Sequence, residues 1–108
     1  MKHDRLEAMF KGWFVGDFLP VAYRSPHCEV AIKHYTKGDF EKAHHHAVAT
    51  ELTAIVAGRV RMMQREWGVG DIITVEPGEK TDFEALTDCI TVVVKTPSLP
   101  NDKFVDEP

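Results

Sequence analysis

From residue 13 onward the apolar positions fall in short runs that alternate with polar ones, and helical spacing is absent. Trp13-Phe14-Val15, Pro20 to Arg24 and Cys28 to Tyr35 are β-prone segments separated by Gly16-Asp17, Ser25-Pro26 and Lys37-Gly38-Asp39. Glu51 to Ala57 and Arg59 to Met63 follow, split by Gly58. Ile72 to Glu76 is bounded by Gly70-Asp71 and Pro77-Gly78, and Phe83 to Leu86 is parted from Cys89 to Thr96 by Thr87-Asp88. Many short strands punctuated by Gly, Pro and Asp predict an all-β sandwich or barrel. Only the first dozen residues differ. Leu6, Met9 and Phe10 fall at helical spacing and predict one short helix ended by Gly12. Residues 97–108 hold three prolines and predict an extended tail laid along the barrel or a partner. Met63-Gln64 sits where a two-residue hairpin turn is expected, without the Asn-Gly or Asp-Gly chemistry that such turns favour, which predicts a longer or strained turn.

Length narrows the picture. A chain of 108 residues fits one domain, 1–108, and leaves no room for a second. It buries a modest fraction of its surface, so a homodimer that hides more is expected. A net charge of −4 gives no footprint for nucleic acid or an anionic membrane surface. The apolar runs are too short to span a bilayer as helices, and Met1 to Arg5 leads into no signal-peptide core, so the expectation is a cytoplasmic protein. Cys28 and Cys89 have no nearby Cys partner and are expected as reduced thiols.

The chemistry concentrates between Gly38 and Glu51. If residues 44–46 are extended, His44 and His46 point the same way, with Cα atoms roughly 6.5 Å apart, and His45 points outward. Glu51 opens the next strand and can bring a carboxylate to the same side. Two imidazoles and one carboxylate form the ligand set of open non-haem metal sites. A solvated histidine turn is the alternative; a tag remnant would not sit inside the chain.

The spacing resembles the first signature of the cupin superfamily: a Gly, five residues, His-x-His, three or four residues, Glu, six residues, Gly. Here Gly38, His44, His46, Glu51 and Gly58 match each fixed position. Chance produces such a match on the order of once in several thousand sequences. The second signature is similar to Gly70-Asp71 and Pro77-Gly78. The position where that family often has a fourth ligand, a His, is Thr81, followed by Asp82 and Phe83. The resemblance spans about residues 20–96. It implies a double-stranded β-helix, or jelly-roll, barrel and a divalent ion (Fe, Mn, Ni or Zn) on His44, His46 and Glu51. Thr81 and Asp82 are weaker candidate ligands, as is His34. A neutral hydroxyl is a poor ligand, and Asp82 lies on the opposite face from Thr81 unless a bulge turns it inward.

The strand before the motif has two faces: Val30, Ile32 and His34 on one, and Glu29, Ala31, Lys33 and Tyr35 on the other. Either can line the barrel. Inward-facing Lys33 and Tyr35 would give a cation for an anionic substrate and a phenol for acid–base work. Thr53 and Ile55 share parity with Glu51 and are expected inside. Arg61 is expected at the surface, and Trp13, Phe14, Trp67 and Phe83 in the core or a dimer interface. No nucleophilic triad or phosphate-cradling glycine loop is visible. The resemblance implies a metal-dependent enzyme on a small polar or anionic molecule, of dioxygenase, isomerase or lyase type. A module that only binds or senses a small molecule or metal stays open beside it.

Overall fold

The computed structural model describes residues 1–106. Their strands are β1 (Trp13–Gly16), β2 (Tyr23–Arg24), β3 (Glu29–Tyr35), β4 (Phe40–His46), β5 (Thr50–Ala57), β6 (Val60–Met62), β7 (Arg65–Trp67), β8 (Ile72–Val75), β9 (Thr81–Ala85), β10 (Cys89–Thr96) and β11 (Lys103–Val105). They form two facing sheets, ordered β2-β1-β3-β10-β5-β8 and β11-β4-β9-β6-β7. Every pairing is antiparallel except the short β1–β2 pair. This is the all-β jelly roll that the strand pattern and the resemblance imply.

Period-2 alternation decides which residues face in. Cys89, Thr91 and Val93 of β10 are buried, as are Thr81, Phe83 and Ala85 of β9 and Ile73 and Val75 of β8. At one end the inward residues are apolar and pack as a core of Ile55, Val60, Met62, Val75, Phe83 and Cys89. Burying each such large side chain contributes roughly 1.5–3 kcal/mol. Along β5 the inward row then turns polar, from Ile55 through Thr53 to Glu51. The barrel is thus closed by packing at one end and hollow at the other.

The N-terminal helix does not form. A single 3-10 turn, Leu6–Ala8, stands in its place, and its N-cap Arg5 makes no capping bond. Leu6 and Met9 are half-buried but Phe10 is exposed, so no apolar helical face has a surface to cover. The chain instead reverses through Lys11 and Gly12, at φ of 51° and 82°. Gly12 is pressed onto β3: its carbonyl accepts the Ile32 N–H at 3.1 Å, and a Cβ there would lie 2.0 Å from the Ile32 carbonyl oxygen. The segment Pro20 to Arg24 keeps only two residues as strand. The sheets extend beyond residues 20–96 at both ends, through β1 and β11. The described part of the tail is laid along the barrel, as β11 against β4, and residues 107–108 lie outside the described residues. Cys28 and Cys89 are free thiols.

The β6–β7 hairpin closes in two residues, with Met62 paired to Arg65. Met63 and Gln64 both take positive φ, 54° and 63°. This is the backbone that Asn-Gly adopts at ease and other residues adopt under strain. Two bonds hold it: the Met63 N–H donates to Asp82 at 3.2 Å, and the Trp67 indole donates to the Met62 carbonyl at 3.0 Å. Gln64→Gly is therefore expected to stabilise the protein by about 0.5–1 kcal/mol, read as a higher urea midpoint at unchanged slope. An unchanged midpoint would refute the strain.

Candidate metal centre

β4 and β5 lie in opposite sheets and are joined by the short turn at residues 47–49. This topology places His44 and His46 on one wall of the hollow end and Glu51 on the other. His44 and His46 are 4% and 3% exposed. Their rings lie 5.6 Å apart at 80°. One ligand atom from each of His44, His46 and Glu51 lies within 4.8 Å of the others, close enough to hold a metal ion.

The hydrogen bonds select the ligand atoms. His44 Nδ1 lies 3.0 Å from the Lys42 carbonyl, and His46 Nδ1 lies 2.9 Å from the Asp102 carbonyl. A carbonyl only accepts, so each Nδ1 carries the proton and each Nε2 faces the centre, which is the support that metal-bound imidazoles receive. His46 Nε2 also lies 2.9 Å from Glu51 Oε2. That bond raises the His46 pKa against the opposing effect of burial. Burial pushes the Glu51 carboxyl up, but the hydrogen bond and charge of His46, with the charges of Lys95 and His44, together leave it below its ordinary value. His46 Nε2 and Glu51 Oε2 thus face each other across the place a cation would take. The donor set fits a divalent ion with open positions.

The tail holds this arrangement. The Asp102 carboxylate accepts backbone N–H groups from Ala47 at 3.1 Å, Val48 at 3.2 Å and Ala49 at 2.9 Å. Burial alone would raise the Asp102 carboxyl; these three donors, with the charge of His46, hold it below its ordinary value. One residue thereby fixes both the turn between the ligands and the His46 ring. His45 points away from the centre, as strand alternation requires. It lies 2.9 Å from the Asp106 carboxylate and stacks on Phe104 at 5.4 Å.

Of the other candidate ligands, Thr81 is buried beside His44, its partner in the β4–β9 register. Its hydroxyl donates to the Asp82 carbonyl at 2.9 Å. Asp82 is exposed and its carboxylate serves the hairpin turn. His34 is exposed on the opposite face of β3 and does not join the triad.

The inward face of β3 is the one with Lys33 and Tyr35. With the triad they line a cavity of about 260 Å³. A more open groove of about 680 Å³ adjoins it, sharing Lys11, Lys33, Tyr35 and Glu41. Burial, then the charge of Glu41 and a hydrogen bond to it, push the Tyr35 phenol far above its usual range. Tyr35 is therefore a neutral donor, its O–H 3.3 Å from Glu41 Oε1.

Three cavity residues escaped the sequence pattern. Glu41 should face away from His44, three positions on, but a register shift between them in the β4–β9 pairing turns both inward. Trp13 was expected in the core or an interface; it lines the cavity, with the Lys33 and Lys95 ammoniums each 5.1 Å from its ring centre. Lys95 shares parity with Thr91 and Val93, so a charge at an inward position was the available signal. Arg61 is at the surface, as expected, paired with Glu84.

Solved structures of similar chains bear on the fold. An RmlC-like cupin from Shewanella frigidimarina matches with a TM-score of 0.66 at 16% identity, over 71% of this chain and 72% of its own. The chain has the cupin fold. An uncharacterised conserved protein with a double-stranded β-helix domain from Klebsiella pneumoniae also matches, at TM-score 0.69 and 20% identity, covering 78% of this chain and 74% of that one. The DMSP lyase DddQ from Ruegeria pomeroyi matches at TM-score 0.72 and 20% identity, over 89% of this chain and 50% of its own. No family model matches the sequence. No curated protein matches it either. In this cupin barrel no helix among the described residues is long and apolar enough to cross a membrane.

Proposed function

We propose that the chain is a metal-dependent enzyme acting on a small polar or anionic molecule, with His44, His46 and Glu51 holding one divalent ion of Fe, Mn, Ni or Zn. One observation carries this reading: two buried imidazoles, each with its outer nitrogen pinned by a carbonyl, converge with a carboxylate inside a cavity that also holds a phenol and ammoniums. Such an ion supplies Lewis-acid polarisation of a carbonyl or enolate oxygen, or redox chemistry where the metal allows it. The chain's own groups do the rest. Tyr35, kept neutral, offers a hydrogen bond to a substrate oxygen. Glu41, beside it, is placed to take a proton from the bound molecule. Lys33 offsets negative charge. One of the similar structures is a lyase, which accords with proton abstraction next to a polarised group.

A binding or sensing module is the second reading. Thr81, where the family often has a fourth imidazole, favours it by reducing the protein ligands to three. Incubating metal-loaded protein with small acids and sugars in D₂O, under proton NMR and an oxygen electrode, separates the two. The enzyme reading expects loss of a substrate signal, or of oxygen, that needs metal and disappears in Glu51→Gln. Uptake of a compound with no chemical change in any of them identifies a binding module instead.

A further inference from the structure

The inward grid of the six-stranded sheet sets unusual residues side by side. Glu29, Lys95 and Glu51 form one row across β3, β10 and β5. Ala31, Val93 and Thr53 form the next, and Lys33, Thr91 and Ile55 the third. Trp13 pairs with Ala31 at the edge of the middle row. Its ring is thus reached by Lys95 from the first row and Lys33 from the third. Lys95 is tied to Glu29 at 3.3 Å, and Glu29 accepts the Ser98 hydroxyl at 2.9 Å. Lys33 differs. Among the described residues no carboxylate lies within ion-pair distance of it, although it is half-buried.

An ammonium partly taken from water without a direct ion pair costs stability; the charge of Glu41 nearby and a cation–π contact of about 0.5–2 kcal/mol offset only part of that. Burial accordingly pulls the Lys33 pKa down. Beside it Thr91 is fully buried, and its hydroxyl has no hydrogen-bond partner. The cavity wall therefore presents an ammonium with no ion-pair partner, backed by a buried hydroxyl that makes no hydrogen bond. Four lysines line the cavity (Lys11, Lys33, Lys95 and Lys103) against Glu41 and Glu51, with Glu29 behind Lys95 and the exposed Asp82 carboxylate engaged by the hairpin. The lysines outnumber these three inner carboxylates by one, and a divalent ion at the triad would leave the cavity further in need of an anion. Its 260 Å³ equals about nine water volumes, room for an organic acid of a few carbons.

We propose that Lys33 and Lys95, steadied on Trp13, form a carboxylate subsite, so that the cavity takes a small organic acid whose carboxylate sits there while a second oxygen faces His44, His46 and Glu51. The second half rests on the metal reading above; the first does not.

The test uses the full chain, with and without Mn(II), titrated calorimetrically with formate, succinate and citrate. Neutral succinamide and inorganic phosphate serve as comparisons. Metal content and melting temperature are measured on the same samples. At least one acid is expected to bind both forms. Lys33→Met should weaken it by at least about 10-fold, the scale of one charge-assisted hydrogen bond, at unchanged metal content and melting temperature. Lys37→Met, on an exposed turn, should leave binding unchanged. Binding that depends on Lys33 in a protein that takes up no metal would support the subsite and overturn the triad reading. The subsite is overturned if no acid binds, if Lys33→Met binds as wild type, if succinamide matches succinate, or if phosphate binds more tightly than every acid.

Discussion

His46→Ala is expected to lower divalent-metal affinity by more than about 100-fold, beyond the roughly 10–100-fold typical of losing a group that only supports a ligand. The substitution removes one of the three donors that converge, and none of the other candidate ligands replaces it. Thr81 offers a neutral hydroxyl already engaged with the Asp82 carbonyl, Asp82 faces the hairpin, and His34 is on the outer face. The expected readout is twofold. Calorimetric titration with Zn(II) or Mn(II) should show one site in the wild type and no measurable site in the variant. Thermal unfolding should show the linkage: an ion at about 100 times its Kd adds about 2.7 kcal/mol, which on a chain of this size raises Tm by about 10 °C or more. The variant should melt at one temperature with and without metal. Retained metal-dependent stabilisation would mean that the ion binds elsewhere.

Asp102→Ala should cost the metal-free protein about 2–3 kcal/mol. The three N–H groups on its carboxylate are not equivalent. Ala47 and Val48 are exposed, so water replaces the lost oxygen there at little cost, whereas Ala49 is 3% exposed and its N–H would be left without a partner. An orphaned buried donor costs roughly 1–3 kcal/mol, and loss of the two charge-assisted bonds adds to it. Asp102→Asn keeps one acceptor oxygen and should recover about half. Both variants retain the main-chain carbonyl that holds His46 Nδ1. They should therefore weaken metal binding by about 10–100-fold rather than abolish it, which separates a positioning residue from a ligand. Urea unfolding of metal-free protein and metal titration of the same samples check both statements. An Asp102→Ala variant as stable as wild type would show that the turn at residues 47–49 holds itself.

The parts of this account that were legible in the sequence share a cause. Strand alternation is a rigid rule, so His44 and His46 share one face of their strand, and Glu51, Thr53 and Ile55 share one face of theirs, by position in the sequence alone. Where a local device breaks the alternation, the sequence misleads. The register shift between Glu41 and His44 turns a residue of the wrong parity inward, and nothing in Glu41-Lys42-Ala43 announces it. The N-terminal helix failed for a tertiary reason: helical spacing needs a surface to bury against, and Gly12 is pinned to β3 instead. Residues 97–108 carry no periodicity, so the role of Asp102, 51 positions after Glu51, is invisible without the β4–β11 pairing. Met63-Gln64 is the opposite case. The poor turn chemistry was plain in the sequence, and the strain it implied is present as two positive φ values.

The most direct measurement is anomalous diffraction from crystals of the wild-type chain grown with one equivalent of Zn(II), with data taken on both sides of the zinc absorption edge. The account predicts a single zinc peak about 2.0–2.2 Å from His44 Nε2, His46 Nε2 and a Glu51 carboxylate oxygen. No peak at that point, or a zinc ion bound elsewhere while the His46–Glu51 hydrogen bond stays intact, would contradict it.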